Sequence, residues 1–316
     1  MDEGVRGLVI KSTGSSYIVR LDDGSNADCH IKGNFRIRGI RSTNPVAVGD
    51  FVEVQTLPDG TNWITEIEER RNYIIRRATN LSKESHILAA NIDQVALIVT
   101  VNHPVTSTTF IDRFLATCEA YRVRAILIFN KIDLLTEDEQ AQLADLRTLY
   151  ESIGYETTEI SAISIQSSDI LPLFAGKTTL LSGNSGVGKS TLLNALFGQQ
   201  LTRTGKISDA HDKGMHTTTF SEMYQLPMTN DQSTVGRIID TPGIKGFGSI
   251  DFQKEEVSHY FPEIFAVSRD CRFGNCTHTN EPGCAVQEAI IKGSIAISRY
   301  ESYLSLLGDC TESKYR

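Results

Sequence analysis

Eight consecutive residues, Gly183-Asn184-Ser185-Gly186-Val187-Gly188-Lys189-Ser190, satisfy the phosphate-loop pattern G-x-x-x-x-G-K-[ST] at every defined position. Glycines in such a loop let backbone N–H groups converge on an anion at a helix N-terminus, where the helix dipole favours negative charge. In that pattern Lys189 reaches the β- and γ-phosphates of a nucleotide and the Ser190 hydroxyl takes Mg2+; Thr191, next in the chain, is counted with the same binding set.

A second motif, Asn130-Lys131-Ile132-Asp133, has the residue types that read guanine, but it comes about fifty residues before the phosphate loop instead of after it. The Asp133 carboxylate can accept from guanine N1–H and the 2-amino group, which adenine lacks, and a buried carboxylate left unpaired by the wrong base discriminates strongly. Asn130 would brace the loop and Lys131 lie along the base plane. Ser161-Ala162 follows another strand and would complete the base pocket through backbone contacts. Downstream, Asp240-Thr241-Pro242-Gly243 sits where a magnesium-side motif belongs, Asp240 holding the ion through water and the Gly243 N–H sensing the γ-phosphate. Between the two lies Lys213-Gly214-Met215-His216-Thr217-Thr218-Thr219, in the place of a first switch, and either Thr217 or Thr218 would complete the magnesium shell. Ile244 stands where many such enzymes carry a water-orienting glutamine, so unaided hydrolysis should be slow. His216 is the candidate catalytic group alongside Lys189; its imidazole would either handle the attacking water or position the switch. A full set of motifs in rotated order points to a circularly permuted GTPase.

Cys271-x4-Cys276-x-His278-x5-Cys284 supplies three thiolates and one imidazole, a closed tetrahedral shell for one structural zinc ion. Crowding of these cysteines favours a metal over disulfides. Cys29, Cys118 and Cys310 have no partner spacing and read as ordinary thiols.

These residues need a scaffold. Short alternating segments at 5–10, 16–21, 35–38, 51–54 and 63–67, separated by glycine-rich turns, predict a small N-terminal β-barrel. An OB-type barrel is preferred, although an SH3-like one has a similar pattern. From residue 91 the period changes. Apolar runs at 94–101, 125–129, 155–160, 178–182 and 236–240 alternate with helical spacing at 109–121, 137–153 and 190–196, which predicts a doubly wound α/β domain. Residues 285–307 read as helix with a break at Gly293. The expected division is 1–72 barrel, 73–248 permuted GTPase domain and 249–316 helical zinc domain.

Composition sets wider limits. A 40% hydrophobic and 22% charged chain of 316 residues is that of a globular protein. No apolar run approaches the roughly 20 residues that span a bilayer, and Met1-Asp2-Glu3-Gly4 does not open a signal peptide, so a cytoplasmic protein without membrane contact, and a monomer, is expected. The net charge of −8 disfavours nucleic-acid binding through overall charge but leaves room for local patches. Two clusters stand out: Arg36, Arg38 and Arg41, then Arg70, Arg71, Arg76 and Arg77. Either would serve as an RNA patch or as solvated surface.

Taken together, the permuted motifs, the Gly214-x-His216-Thr217-Thr218 switch, Phe261-Pro262-Glu263, Glu281-Pro282-Gly283-Cys284 and Arg299-Tyr300-x-x-Tyr303 resemble the bacterial ribosome small-subunit-dependent GTPase A family over essentially the whole chain. The resemblance implies a late assembly factor of the 30S subunit, with GTP hydrolysis stimulated by that subunit and with barrel and zinc domains that bind 16S rRNA. Met215 replaces a residue that is commonly basic in that family, which implies one weaker RNA contact. Two other readings stand beside it. One is an RNA-binding scaffold whose nucleotide site is only a sensor; the other, an ATP-using enzyme, is disfavoured by Asp133.

Overall fold

A computed structural model of the chain describes residues 4–14, 16–31, 45–77, 85–198, 221–227, 235–240 and 252–312. Five N-terminal strands, β1 (Val5–Ser12), β2 (Tyr17–Leu21), β3 (Asn26–Ile31), β4 (Phe51–Thr56) and β5 (Asn62–Ile67), pair in the order β1-β2-β3-β5-β4. β4 returns to β1 and closes the barrel. Among these described strands only β3 and β5 run parallel, and this closed topology is the OB type. Alternating side chains fill the interior: Val9, Tyr17, Val19, Cys29, Val52, Val54 and Ile64 are all buried. The expected strand at 35–38, with Arg36, Arg38 and Arg41, lies outside the described residues. β3 was not foreseen because its residues are largely polar, with Cys29 alone fully buried among them.

A hairpin of β6 (Tyr73–Arg77) and β7 (Ser85–Ala90) leads into the α/β domain. Its strands are β8 (Gln94–Val99), β9 (Arg124–Phe129), β10 (Glu156–Glu159), β11 (Thr178–Ser182), β12 (Ser221–Gln225) and β13 (Arg237–Asp240). They lie in the order β10-β9-β8-β11-β13-β12, and every neighbouring pair is parallel except β12–β13. Helices α1 (Thr108–Ala120) and α2 (Glu137–Ile153) cover one face; α3 (Ser167–Phe174) and α4 (Lys189–Phe197) cover the other. β8 shows why its sequence is apolar throughout: Val95, Leu97 and Val99 join the first core, Ala96 and Ile98 the second. α2 starts at a reciprocal cap between Thr136 and Glu139 and ends where Gly154 turns left-handed. No helix among the described residues is long and apolar enough to cross a membrane.

Both flanking regions are fastened to this domain. β1 of the barrel pairs antiparallel with β12 at Lys11↔Glu222 and Ser12↔Ser221, so one sheet of 11 strands runs through both. A Lys11–Glu222 ion pair of 3.2 Å reinforces the seam. Arg70 and Arg71 belong to the scaffold as well. Arg70 forms a two-pronged pair with buried Asp50 at 2.6–2.7 Å and reaches the Pro45 carbonyl, and Arg71 pairs with Asp93 at 2.8 Å. Arg70 is thereby a buried strut and neither a free RNA patch nor solvated surface, whereas Arg71 keeps an exposed side chain beside its acid. The side chains of Arg76 and Arg77 lie outside the described residues.

Among the described residues the C-terminal region has three α-helices, α5 (Pro262–Ser268), α6 (Ala285–Ile291) and α7 (Ile297–Glu312), with the expected break at Gly293. It docks on α1 through a buried charge. Arg299 donates to Asp112 of α1 at 2.8 Å and to both carboxylate oxygens of Glu263 at 2.7 and 3.1 Å, while its guanidinium lies 4.8 Å over the Phe261 ring. Tyr150 of α2 donates to the same Asp112 at 2.9 Å. Burial pushes the Asp112 carboxyl up and Arg299 opposes it, with Tyr150 and Ser302 helping. Removing one member strands a charge away from water. Arg299→Ala should therefore cost roughly 3–5 kcal/mol in chemical unfolding, whereas Lys292→Ala, which breaks the exposed Lys292–Glu288 pair, should cost under about 1 kcal/mol.

Candidate functional site

The phosphate loop leaves the end of β11 where the sheet's carboxyl edge opens. Gly183 has φ 144° and passes so near β8 that a side chain would begin 2.4 Å from the Ile98 carbonyl. Gly188, at φ 101°, leaves no room either: a Cβ would lie 2.2 Å from Asn130 Nδ2. The loop feeds directly into α4, whose first residue is Lys189. Lys189 Nζ donates to the carbonyls of Gly183 and Asn184 at 2.6 and 2.7 Å, so the ammonium is folded back over the loop. Burial pulls its pKa down to about 8, against the opposing pull of Asp240 at the end of β13.

Asn130 connects everything around it. Its Nδ2 donates to the Val187 carbonyl in the phosphate loop at 2.7 Å, and its Oδ1 accepts the Ala162 N–H at 2.9 Å. Its own N–H donates to Val99 at the end of β8. Lys131 adopts a left-handed backbone, φ 66°, which starts the short 3-10 turn carrying Ile132 and Asp133. The Ser161 hydroxyl donates to the Asp133 carboxylate and orients it. The expected backbone contact from Ser161-Ala162 is therefore modified: the Ala162 N–H is engaged by Asn130, and the Ser161 side chain works through Asp133. Asp240 is buried at the end of β13, next to β11. His216, Thr217 and Thr218 of the switch, and Gly243 and Ile244 after Asp240, lie outside the described residues. Such a cradle, with a lysine over the loop and a carboxylate set at the base side, can hold a purine nucleotide by both ends.

Cys271, Cys276, His278 and Cys284 come together with their ligand atoms all within 4.8 Å of one another. His278 Nδ1 lies 3.6 Å from Cys271 Sγ and 3.5 Å from Cys284 Sγ, and those two sulfurs are 4.0 Å apart. A tetrahedral shell with metal–sulfur bonds near 2.3 Å has edges of about 3.7 Å, so the donor set fits one divalent ion. Burial lowers the His278 pKa, which favours the neutral ligating form, and pushes the Cys276 thiol up to about 12. A thiolate there needs a cation beside it.

Several residues with structural duties at these sites escaped sequence reasoning. Glu281 ties the ligand loop, accepting from the N–H groups of Thr277 and Thr279 at 2.8 and 2.9 Å. Burial raises its pKa, but hydrogen bonds from Thr277 outweigh that and hold it at about 2. Tyr300 and Tyr303 donate from α7 to the carbonyls of His278 and Thr277 at 2.6 and 2.7 Å. The Glu281 and tyrosine motifs marked the resemblance; their clamping role shows only in three dimensions. The 100–107 turn between β8 and α1 also meets the nucleotide motifs, through a bond from Lys131 Nζ to the His103 carbonyl. Its place just beyond a buried parallel strand was the available signal.

Nucleotide motifs that keep their places around an intact sheet while the chain visits them in rotated order define a circularly permuted GTPase, here flanked by an OB-type barrel and a Cys3His region. Comparison with known proteins gives the family. Residues 67–250 match the RsgA GTPase family and residues 6–64 the RsgA N-terminal domain. The chain belongs to the RsgA GTPase family and is, by that membership, a GTP hydrolase. It is 59% identical over 313 residues, 99% of each chain, to the small ribosomal subunit biogenesis GTPase RsgA of Phocaeicola vulgatus, and 58% identical over 313 residues to that of Bacteroides fragilis. Among solved structures it resembles YjeQ from Thermotoga maritima, with a TM-score of 0.72 and 31% identity over 97% of this chain and 98% of that one. It also resembles YloQ, described as a circularly permuted GTPase, with a TM-score of 0.71 and 29% identity over 100% of this chain and 98% of that one.

The lowered Lys189 pKa has a measurable consequence. With a pKa of about 8 in the free protein, Lys189 is mostly charged at pH 7 and mostly neutral at pH 9. A bound phosphate favours the charged form and raises that pKa, so binding at pH 9 must draw in a proton that is already present at pH 7. GDP affinity should fall by up to about tenfold per pH unit above 8. Calorimetry in two buffers of different ionisation enthalpy should give proton uptake near one at pH 9 and near zero at pH 7. Equal uptake at both would contradict it.

Proposed function

We propose that this chain hydrolyses GTP on the small ribosomal subunit, assists its late maturation, and leaves after hydrolysis. The observation that carries this reading is the Asn130-centred assembly of phosphate and base motifs, in a chain alike from end to end to relatives named for small-subunit biogenesis. In this reading residues 1–72, 73–248 and 249–316 act as barrel, motor and zinc domain.

The backbone of residues 183–188 cradles the phosphates together with Lys189 and Thr191, while Asp133, aligned by Ser161, reads guanine. Ser190, Asp240 through water, and either Thr217 or Thr218 hold the Mg2+ that offsets phosphate charge when GTP is bound. The Gly243 N–H meets the γ-phosphate. Water attacks that phosphorus and GDP leaves with inorganic phosphate as the second product. Since Ile244 offers no hydrogen bond to that water, turnover waits for an arrangement that the subunit imposes, with His216 holding the water or ordering the switch.

The zinc assignment rests on three thiols and an imidazole nitrogen at tetrahedral separation with no fifth donor needed. Its role is to staple the 271–284 loop. That loop supports RNA contact: Phe273 is 41% exposed, the Arg272 guanidinium lies 5.4 Å from its ring, and Arg269 lies over Phe265 at the same distance. An aromatic face flanked by cations suits 16S rRNA despite the net charge of −8.

Purified small subunits should raise GTP turnover at least about tenfold, and His216→Ala should lower the stimulated rate more than GTP affinity. An RNA-binding scaffold with a sensing site would show no stimulation. Asp133→Asn should shift preference from guanine to xanthine nucleotides; unchanged guanine preference would sink the base assignment. Metal analysis should find one zinc per chain, and chelation should unfold the 271–284 loop with loss of α6–α7 amide protection. A zinc-free protein with that protection intact would defeat the assignment.

A further inference from the structure

The 100–107 turn supplies none of the groups assigned above, yet it touches both halves of the nucleotide site. On the base side the His103 carbonyl accepts a hydrogen bond from Lys131 Nζ. On the phosphate side Pro104 Cδ stands 3.5 Å from where a side chain would begin at Gly186. The turn is itself anchored from within. Thr100 Oγ1 donates to the Pro104 carbonyl at 2.5 Å, Thr100 N–H donates to Thr106 Oγ1 at 3.1 Å, and Thr106 N–H donates back to the Thr100 carbonyl at 3.0 Å. Both threonines are buried. Asn102 adds an outer tie, its Nδ2 donating to Glu139 of α2 at 2.6 Å while its Oδ1 accepts the His103 N–H at 2.8 Å.

His103 has φ 61°, a left-handed conformation uncommon outside glycine, although histidine adopts it more readily than most residues, and here hydrogen bonds on either side enforce it. The enforcing bonds are those of Thr100, Thr106 and Asn102, and their product is one carbonyl aimed at Lys131. A free lysine side chain samples many rotamers and loses that freedom when a ligand fixes it. A carbonyl that fixes it beforehand removes the loss from the binding step.

We infer that Thr100 is a positioning residue for guanine-nucleotide binding: through the Pro104 carbonyl it sets the His103 carbonyl, which holds the Lys131 ammonium at the base side, while Pro104 covers the phosphate loop at Gly186. The inference rests on the reading of Lys131 and residues 183–190 as the nucleotide site. Neither contact involves the γ-phosphate, so GTP and GDP gain equally and the chemical step gains nothing.

The test uses the full-length protein with Thr100→Val, Thr100→Ser, Lys131→Ala and the Thr100→Val/Lys131→Ala pair. Dissociation constants for GDP and GTP are measured, then KM and kcat with saturating small subunits. Valine keeps the shape of threonine but cannot donate to Pro104. Thr100→Val should weaken both nucleotides and raise KM by about tenfold, with kcat within about twofold of wild type. Thr100→Ser should restore binding, and Thr100→Val should add nothing once Lys131 is alanine. Wild-type affinity in Thr100→Val would overturn the inference alone. So would losses that multiply with Lys131→Ala, or a fall in kcat that tracks a fall in melting temperature. Wild-type protein that prefers no guanine nucleotide would overturn the site reading and the inference with it.

Discussion

One side-chain amide holds the candidate nucleotide site together. Asn130 spans the phosphate loop at Val187 and the base-side segment at Ala162, and its own backbone is fastened to β8. A carboxamide carries its donor and its acceptor on separate atoms, so it can bridge two loops at once without carrying charge. Its fit accounts for the glycine at 188, since any side chain there would strike Nδ2. Permutation becomes tolerable for the same reason. Moving the chain ends changes which motif is made first, but β9, β10 and β11 still deliver Asn130, Ser161 and Gly183 to one edge of the sheet.

The same frame shows where a nucleotide-dependent change can be felt. The barrel continues the sheet from β12, and β12 pairs with β13, which carries Asp240. The C-terminal helices are locked by Arg299 onto α1, the helix that follows the 100–107 turn. Sequence order alone suggests that the segment after Asp240 drives the Cys3His region as its neighbour in the chain. The packing adds two other routes: the seam at β12 for the barrel, and α1 for the Cys3His region. The barrel and the Cys3His region are thereby tied to different margins of the candidate nucleotide site.

Local patterns were legible because they are read within a few residues. The phosphate loop, the Asn-Lys-x-Asp turn, the cysteine–histidine spacing and the helical spacing of α2 all carry their signal within a few positions. β12 was missed because Ser221, Glu222 and Gln225 make it a polar strand whose partners lie on both sides of a domain seam. α3 was missed because Pro172 reads as a breaker, and the helix does end two residues beyond it, at Phe174. Arg70, Arg71 and Arg299 show the other limit. Their acids are 20 or more residues away, so buried Arg70 and Arg299 look in the chain like exposed Arg71.

The most direct test is the GDP affinity of Asn130→Ala in the full-length protein, with thermal melting as a check on the fold. Losing both amide contacts should weaken GDP by about a hundredfold while the melting temperature moves by only a few degrees. GDP binding within about threefold of wild type would mean that the phosphate and base halves find their register without Asn130, and would contradict the account.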